Sequence, residues 1–291
     1  MAKTSIAGYD AEHVTIRGKD LVADLMGKVS FTELMLLQLT GKTPTPSQVT
    51  ILDAVLVTIM EHGLVPSAIV TRLTHYGAPE SVQGAIVAGL LGVGDRFAGT
   101  ASECAQLLEK IVAATAAERA NVATELVKDY RARKRPIPGF GHPIHRDVDP
   151  RSKRLIEIVR AANAGAAGAS GTSGAAVPVG ASGTGTSGAA ASAASGANAN
   201  SSAPAGAGSY ISALEILEQA VATVIGRRIV TNVSAAIAVA LCEAGVPSKS
   251  SRGVVLTARC AGLVGHLHEE SESPAGEAMW NAITDAVKYE P

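Results

Sequence analysis

The chain has 291 residues, with 25 Lys or Arg against 26 Asp or Glu, so its formal net charge is −1. That balance excludes a bulk polyanion binder, and 47% hydrophobic with 18% charged residues excludes a disordered chain. Aromatic residues make up only 3%, so the core must be built from Ala, Val, Leu and Ile, which favours packed helices over an aromatic-rich sandwich.

The N-terminus, Met-Ala-Lys-Thr-Ser-Ile, carries no apolar signal core, and no stretch reads as a membrane span; a cytoplasmic protein is expected. Ser30 and Glu33 have capping-box spacing ahead of Leu34, Leu36, Leu37 and Leu39, with Gly41 as the stop. Thr45, Pro46 and Gln48 open a second helix, with apolar positions from Val49 to Met60 near a 3.6 period and an end near His62 and Gly63. Further helices are predicted over 79–93, where Gly84 and Gly89 permit close packing, and over 101–117, 118–131, 151–162, 210–225, 230–244, 249–270 and 276–288. No convincing run of alternating strand residues appears. The predicted fold class is therefore all-α.

Residues 164–208 consist almost wholly of Ala, Gly, Ser, Thr, Asn, Pro and Val, and no charge occurs from Ala161 to Leu214. Such a stretch cannot bury enough surface to offset its chain entropy, so it is expected to be a flexible insertion in a surface loop. Loop closure costs rise slowly with length, and a folded core tolerates such an insertion.

The three cysteines, Cys104, Cys242 and Cys260, lie in apolar helical segments with no C-x-x-C, which suggests buried reduced thiols. No His, Cys, Asp or Glu spacing makes a metal site. No P-loop or dinucleotide fingerprint occurs. Between Lys128 and Arg160 there are ten Lys or Arg and four Asp or Glu. A local basic zone in a neutral chain suits a small, highly charged anion better than nucleic acid; a solvated basic face is the alternative.

Within that zone, residues 139–151 read Gly-Phe-Gly-His-Pro-Ile-His-Arg-Asp-Val-Asp-Pro-Arg. Gly139 and Gly141 allow positive φ or close approach to a ligand. His142 can exchange a proton, and Arg146 and Arg151 can hold anions. Elsewhere, His62 closes a helix, where it could act on a ligand or on the helix dipole. Arg259 and His266 stand seven residues apart on one face, with Gly262 leaving room beside it. Arg259 there wants either an anionic ligand or an internal carboxylate. Asn232 and Ser234 are the polar exceptions near the start of the nearly all-apolar helix 230–244.

In this order, these pieces resemble the citrate synthase superfamily. The resemblance runs through Ile16–Leu21, Ser30–Glu33, Leu39–Pro44, the helix end at 61–64, the loop at 139–151 and Arg259–His266, and covers nearly everything but 164–208. Gly94-Asp95-Arg96-Phe97-Ala98-Gly99 resembles a segment of the citryl-CoA lyase module of ATP-citrate lyase. Full citrate synthases carry a catalytic histidine there, and Phe97 or Ala98 stands in its place.

The resemblance implies a two-lobed helical fold, with residues 1–132 and 222–291 in a large domain and 133–221 in a small one. It implies cleavage of citryl-CoA to acetyl-CoA and oxaloacetate, with coenzyme A as part of the substrate and product and no metal. His62 would hydrogen-bond the oxaloacetate or citryl portion, His142 would act on the citryl hydroxyl, and Arg151 and Arg259 would clamp carboxylates. Arg146, with Arg96, Gly139 and Gly141, would serve the coenzyme A side. Ser234 departs from the pattern, because relatives carry an acidic residue there that handles the acetyl carbon's proton. Condensation of acetyl-CoA with oxaloacetate, or a catalytically impaired CoA-binding member, are therefore the alternatives. A homodimer or higher homo-oligomer is implied, with 79–93 and 101–117 as interface or core elements, and with no nucleic-acid or membrane partner.

Overall fold

The computed structural model describes residues 2–95, 100–141, 148–169 and 208–290. The helices among them are α1 (Phe31–Thr40), α2 (Pro46–Met60), α3 (Pro66–Gly77), α4 (Val82–Leu91), α5 (Thr100–Ala113), α6 (Arg119–Ala132), α7 (Pro150–Ala169), α8 (Ser209–Ile225), α9 (Val233–Glu243), α10 (Ser248–Glu272) and α11 (Gly276–Ala286). The predicted all-α class holds, and both capping boxes form. Ser30 and Glu33 bond reciprocally at the start of α1, and Thr45 and Gln48 do so at α2, with Pro46 in its first turn. Gly41 ends α1 at φ +72°.

Three short strands were not legible as alternation: β1 (Ala7–Tyr9), β2 (Val14–Ile16) and β3 (Lys19–Asp20), paired antiparallel in that order. Arg17 and Gly18 turn β2 into β3 with φ of 50° and 78°, the double positive φ of a tight primed hairpin. Arg17 then donates from Nε to the carbonyl of Gln38 at 3.2 Å, tying the hairpin to the end of α1.

The core is one continuous cluster built around α9, in which every residue from Ala235 to Cys242 is buried. Its alanines let neighbouring helices approach closely. Leu52 and Val55 of α2, Leu108 of α5, Leu155 of α7 and Leu217 of α8 close around it, all nearly inaccessible. Each such side chain contributes roughly 1.5–3 kcal/mol by burial. Cys104 and Cys242 are buried free thiols, and burial pushes Cys104 up to about 12, so it is inert as a nucleophile.

Helix α7 runs to Ala169, past the predicted end at 162, because the first residues of the low-complexity stretch are alanine-rich and continue a helix readily. The remainder of the predicted insertion, 170–207, lies outside the described residues. Its two flanks meet at one carboxylate. Glu243 Oε2 accepts from Asn163 Nδ2 at 3.0 Å and from the Gly208 N–H at 2.9 Å, while Oε1 accepts from the Tyr210 N–H at 2.9 Å. Glu243 thereby ties the body of α7 to the point where the chain re-enters the fold at Gly208. Replacing 170–207 with a short Gly-Ser linker is expected to preserve helical circular dichroism and to leave Tm equal or slightly raised, since a shorter loop costs less to close. A drop in Tm of more than about 5 °C, roughly 2 kcal/mol for a chain of this size, would show that the segment supports the core.

Candidate active site

A cavity of about 610 Å³ opens where helix ends converge. The end of α2 supplies Glu61 and His62, and the start of α3 supplies Pro66 and Ser67. The starts of α5, α7 and α9 supply Thr100, Arg151 and Ser234, the loop gives Phe140 and Gly141, and the middle of α10 gives Arg259. First turns of four helices thus line one space, and the exposed N–H groups and dipoles of such turns favour anions.

Helix α2 stops at Met60, and Glu61 takes extended geometry. Gly63 turns the chain at φ +70°, and the Val65 N–H donates back to the Gly63 carbonyl at 2.7 Å. His62 therefore sits in a tight corner beyond the helix. Partial burial lowers its pKa from the ordinary 6.5, and the Arg151 and Arg259 cations push it the same way against Glu61 and Asp149. A neutral imidazole at neutral pH can give and take hydrogen bonds with a ligand. The ring of His62 is expected to titrate below pH 6.5 by NMR, and its midpoint should rise in Arg259→Gln, which removes one opposing cation. A midpoint at or above 6.5 in the unmutated protein would exclude this electrostatic setting.

Arg151 is committed locally. Its Nε and Nη2 donate to Asp149 at 3.2 and 3.1 Å, its own N–H donates to Asp149 Oδ1 at 3.0 Å, and Asp149 Oδ2 also accepts from the Val233 N–H at 3.1 Å. Asp149 is fully buried. Burial alone would raise its pKa, but the Arg151 contacts and the backbone donors outweigh that and hold the carboxyl below its usual range. One carboxylate thereby locks the start of α7 to the start of α9. Arg259 differs: it is half-buried and makes no hydrogen bond or ion pair among the described residues. Of the alternatives left open for it, an internal ion pair is not formed among the described residues.

Gly139 and Gly141 both take positive φ, 84° and 83°. Phe140 bridges to Thr231, the Gly141 N–H donates to Val230, the Asn232 N–H donates to Gly139, and Asn232 Nδ2 donates to the Gly141 carbonyl. Residues 230–232 are thus paired chain rather than the predicted first turn of α9, and Asn232 caps that helix by accepting from the Ser234 N–H. Gly139 does not line the cavity. A Cβ there would come within 2.8 Å of Ala235 Cβ and 2.9 Å of Cys104 Sγ, so its smallness serves packing. The Ser234 hydroxyl lies 2.9 Å from that of Thr100, joining the starts of α9 and α5.

Residues 2–174 match the family described as citrate synthase, C-terminal domain. The chain belongs to the citrate synthase family. Its structure is similar over its full length to citryl-CoA lyase from Hydrogenobacter thermophilus, at TM-score 0.74 and 26% identity, covering 95% of that chain. It is also similar over its full length to ATP citrate lyase from Methanothrix soehngenii in complex with citrate and coenzyme A, at TM-score 0.68 and 17% identity, covering 42% of that chain. Citrate synthase from Thermotoga maritima MSB8 is similar over 84% of this chain and 55% of that one, at TM-score 0.54 and 18% identity. At these identities the latter two share the fold alone. No curated protein sequence matches the chain. The family and the lyase likeness place the chain among enzymes of the citrate synthase superfamily.

Of the residues singled out in the sequence, this citrate synthase-family cavity gathers His62, Arg151, Arg259, Ser234 and Gly141. His142, Arg146 and Arg96 lie outside the described residues, although Gly141 and Arg151 on either side of the first two line the cavity. The basic zone is less available than its count suggests. Lys128, Arg133, Arg135, Arg151, Arg154 and Arg160 are all ion-paired to carboxylates. Glu61, Asp149 and Thr100 escaped notice. Asp149 carried a signal, an acidic residue directly before Pro150 at a helix start. Among the described residues no group of three His, Cys, Asp or Glu side chains is placed to hold a metal, and no helix is long and apolar enough to cross a membrane.

Proposed function

We propose that the chain cleaves citryl-CoA to acetyl-CoA and oxaloacetate. The observation that carries this reading is the meeting in one cavity, at four helix starts, of Arg259, which has no partner among the described residues, a paired Arg151, and a His62 whose pKa is lowered. The full-length likeness to a citryl-CoA lyase supports it. In the cleavage, the bond between the hydroxyl-bearing carbon and the thioester's CH₂ breaks. The hydroxyl loses its proton as it becomes the ketone, and the bond's electron pair passes to the thioester enolate, which then takes a proton. Arg259 and Arg151 would hold carboxylates, bidentately where geometry allows. Neutral His62 would hydrogen-bond the oxygen that becomes the ketone. His142 would take the hydroxyl proton, with Arg146 and Arg96 on the coenzyme A side, as the family resemblance implies.

A second reading, a CoA-binding member with impaired catalysis, rests on Ser234 and on the state of the nearby carboxylates. Asp149 already accepts hydrogen bonds at both oxygens, and Glu61 accepts two at one oxygen while the other lies beside His266. These engagements disfavour either carboxylate as a base on the acetyl carbon. Incubation with citryl-CoA while following acetyl-CoA and oxaloacetate separates these readings from each other and from condensation. Cleavage supports the first, tight CoA binding without turnover the second, and citrate formation from acetyl-CoA and oxaloacetate a synthase.

A homo-oligomer joined through α4 completes the proposal. Residues 82–94 carry no charge, and Val82, Val87 and Leu91 expose 49%, 53% and 81% of their surface. The other candidate element, α5, turns its apolar face into the core through Cys104, Leu108 and Ile111. Leu91→Glu is expected to reduce the molar mass measured by light scattering to that of one chain with circular dichroism intact. A mass unchanged from the unmutated oligomer would rule out this face.

A further inference from the structure

Arg72 of α3 is 97% inaccessible, and each of its three guanidinium nitrogens has a partner. Nη1 donates to Glu270 at 2.8 Å, Nη2 contacts Glu269, and Nε donates to His266 Nδ1 at 3.1 Å. A buried cation so held cannot shift without leaving its partners unpaired. Because Arg72 donates to Nδ1, the ring proton of His266 resides on Nε2. That nitrogen lies 3.1 Å from Glu61 Oε2, a neutral ring N–H beside a carboxylate without hydrogen-bond alignment. The other Glu61 oxygen accepts from the backbone N–H groups of His62 and Gly63, at 2.6 and 2.7 Å. Burial would raise the Glu61 pKa, but these donors and His266 outweigh it and keep the group an anion.

The close approach that permits the contact is built into α10. A Cβ at Gly262 would lie 2.2 Å from the Met60 carbonyl and 2.9 Å from Glu61 Oε2. Only glycine lets α10 come this near the end of α2. A chain of polar contacts therefore runs from the C-terminal part of α10, through Arg72 and His266, to the corner that carries His62. No step of the cleavage written above uses it.

We propose that Arg72, His266 and Glu61 form a brace that positions His62 in the cavity, with His266 as the positioning residue that links the buried cation to the exposed corner. The proposal rests on the reading that His62 contacts the citryl portion of the substrate. None of the three brace residues needs to touch substrate. Glu61 lines the cavity, yet its oxygens face the backbone and His266.

The test uses the full-length protein with ¹³C-labelled histidine rings and citrate as the probe. The His62 Cε1–H resonance is assigned by its loss in His62→Gln. In His266→Leu that resonance is expected to move, and calorimetry is expected to show about tenfold weaker citrate binding, the size of one lost charge-assisted contact. His266→Gln, whose side-chain amide can reach the same Glu61 oxygen, should restore both. In a His62→Gln background, His266→Leu should cost no further affinity, because the two act through one group. An unmoved His62 resonance in folded His266→Leu, or equal affinity losses with and without His62, overturns the brace. If the unmutated protein does not bind citrate, the substrate reading fails, and the resonance comparison alone then decides the brace. Should His266→Leu not fold, His266→Asn, whose amide can keep the Arg72 contact at the Nδ1 position but is too short to reach Glu61, breaks the same contact and is read the same way.

Discussion

Ser234→Asp is expected to raise citryl-CoA cleavage by roughly 10²-fold, within the range a positioned general acid or base contributes. Release of acetyl-CoA and oxaloacetate measures it, with acetyl-CoA proton exchange as a second readout. Position 234 is in the first turn of α9, and its hydroxyl faces Thr100 in the first turn of α5 at 2.9 Å. Two helix starts favour an ionised carboxylate there, and the Thr100 hydroxyl can donate to it. The neighbouring acids cannot supply the function, because Glu61 is held by two backbone donors and His266, and Asp149 by Arg151 and Val233. Serine offers no charge at neutral pH and so can neither take the acetyl proton nor return it. A folded Ser234→Asp protein that binds substrate normally and turns over no faster would remove position 234 from the proton path.

What the sequence showed and what it hid divide along physical lines. Capping residues at Ser30 and Thr45 and the apolar periodicity of α2 are local signals, and they survive intact in the structure. Helix α3 went unnoticed although Pro66 opens it as Pro46 opens α2. Its hidden face carries Ser67, Thr71 and Arg72, which read as solvent-facing until partners arrive from α10. The hairpin at 7–20 escaped because strands of two or three residues cannot display alternation. His62, Arg151, Ser234 and Arg259, singled out by residue type and order, share one cavity. Glu61, Asp149 and Thr100 were not found, because their work is to accept or share hydrogen bonds with groups remote in sequence or belonging to the backbone. Nothing about Thr100 announces a contact with a residue 134 positions away. The carboxylates from outside the basic zone that pair within it, Glu103, Glu125 and Glu215, were equally invisible to a local charge count.

Arg259→Gln is expected to weaken citrate binding on the order of 10²-fold, the usual cost of removing one member of a desolvated charge pair. The two arginines of the cavity should separate cleanly in this test. Arg259 is half-buried without a hydrogen-bonded partner among the described residues, and burial is the main cause lowering its pKa. Holding it so costs the free protein energy that a ligand carboxylate would offset. Its removal should therefore leave Tm without ligand unchanged or higher, while abolishing the rise in Tm that citrate produces. Arg151 is the opposite case. Its loss strands Asp149, a carboxylate with 0% exposure that joins α7 to α9, and breaking such a pair costs about 3–5 kcal/mol. Arg151→Gln should lower Tm with or without citrate. If Arg259→Gln destabilised the free protein as much as Arg151→Gln does, Arg259 would be a structural ion-pair partner and not the open anion holder at the centre of this site.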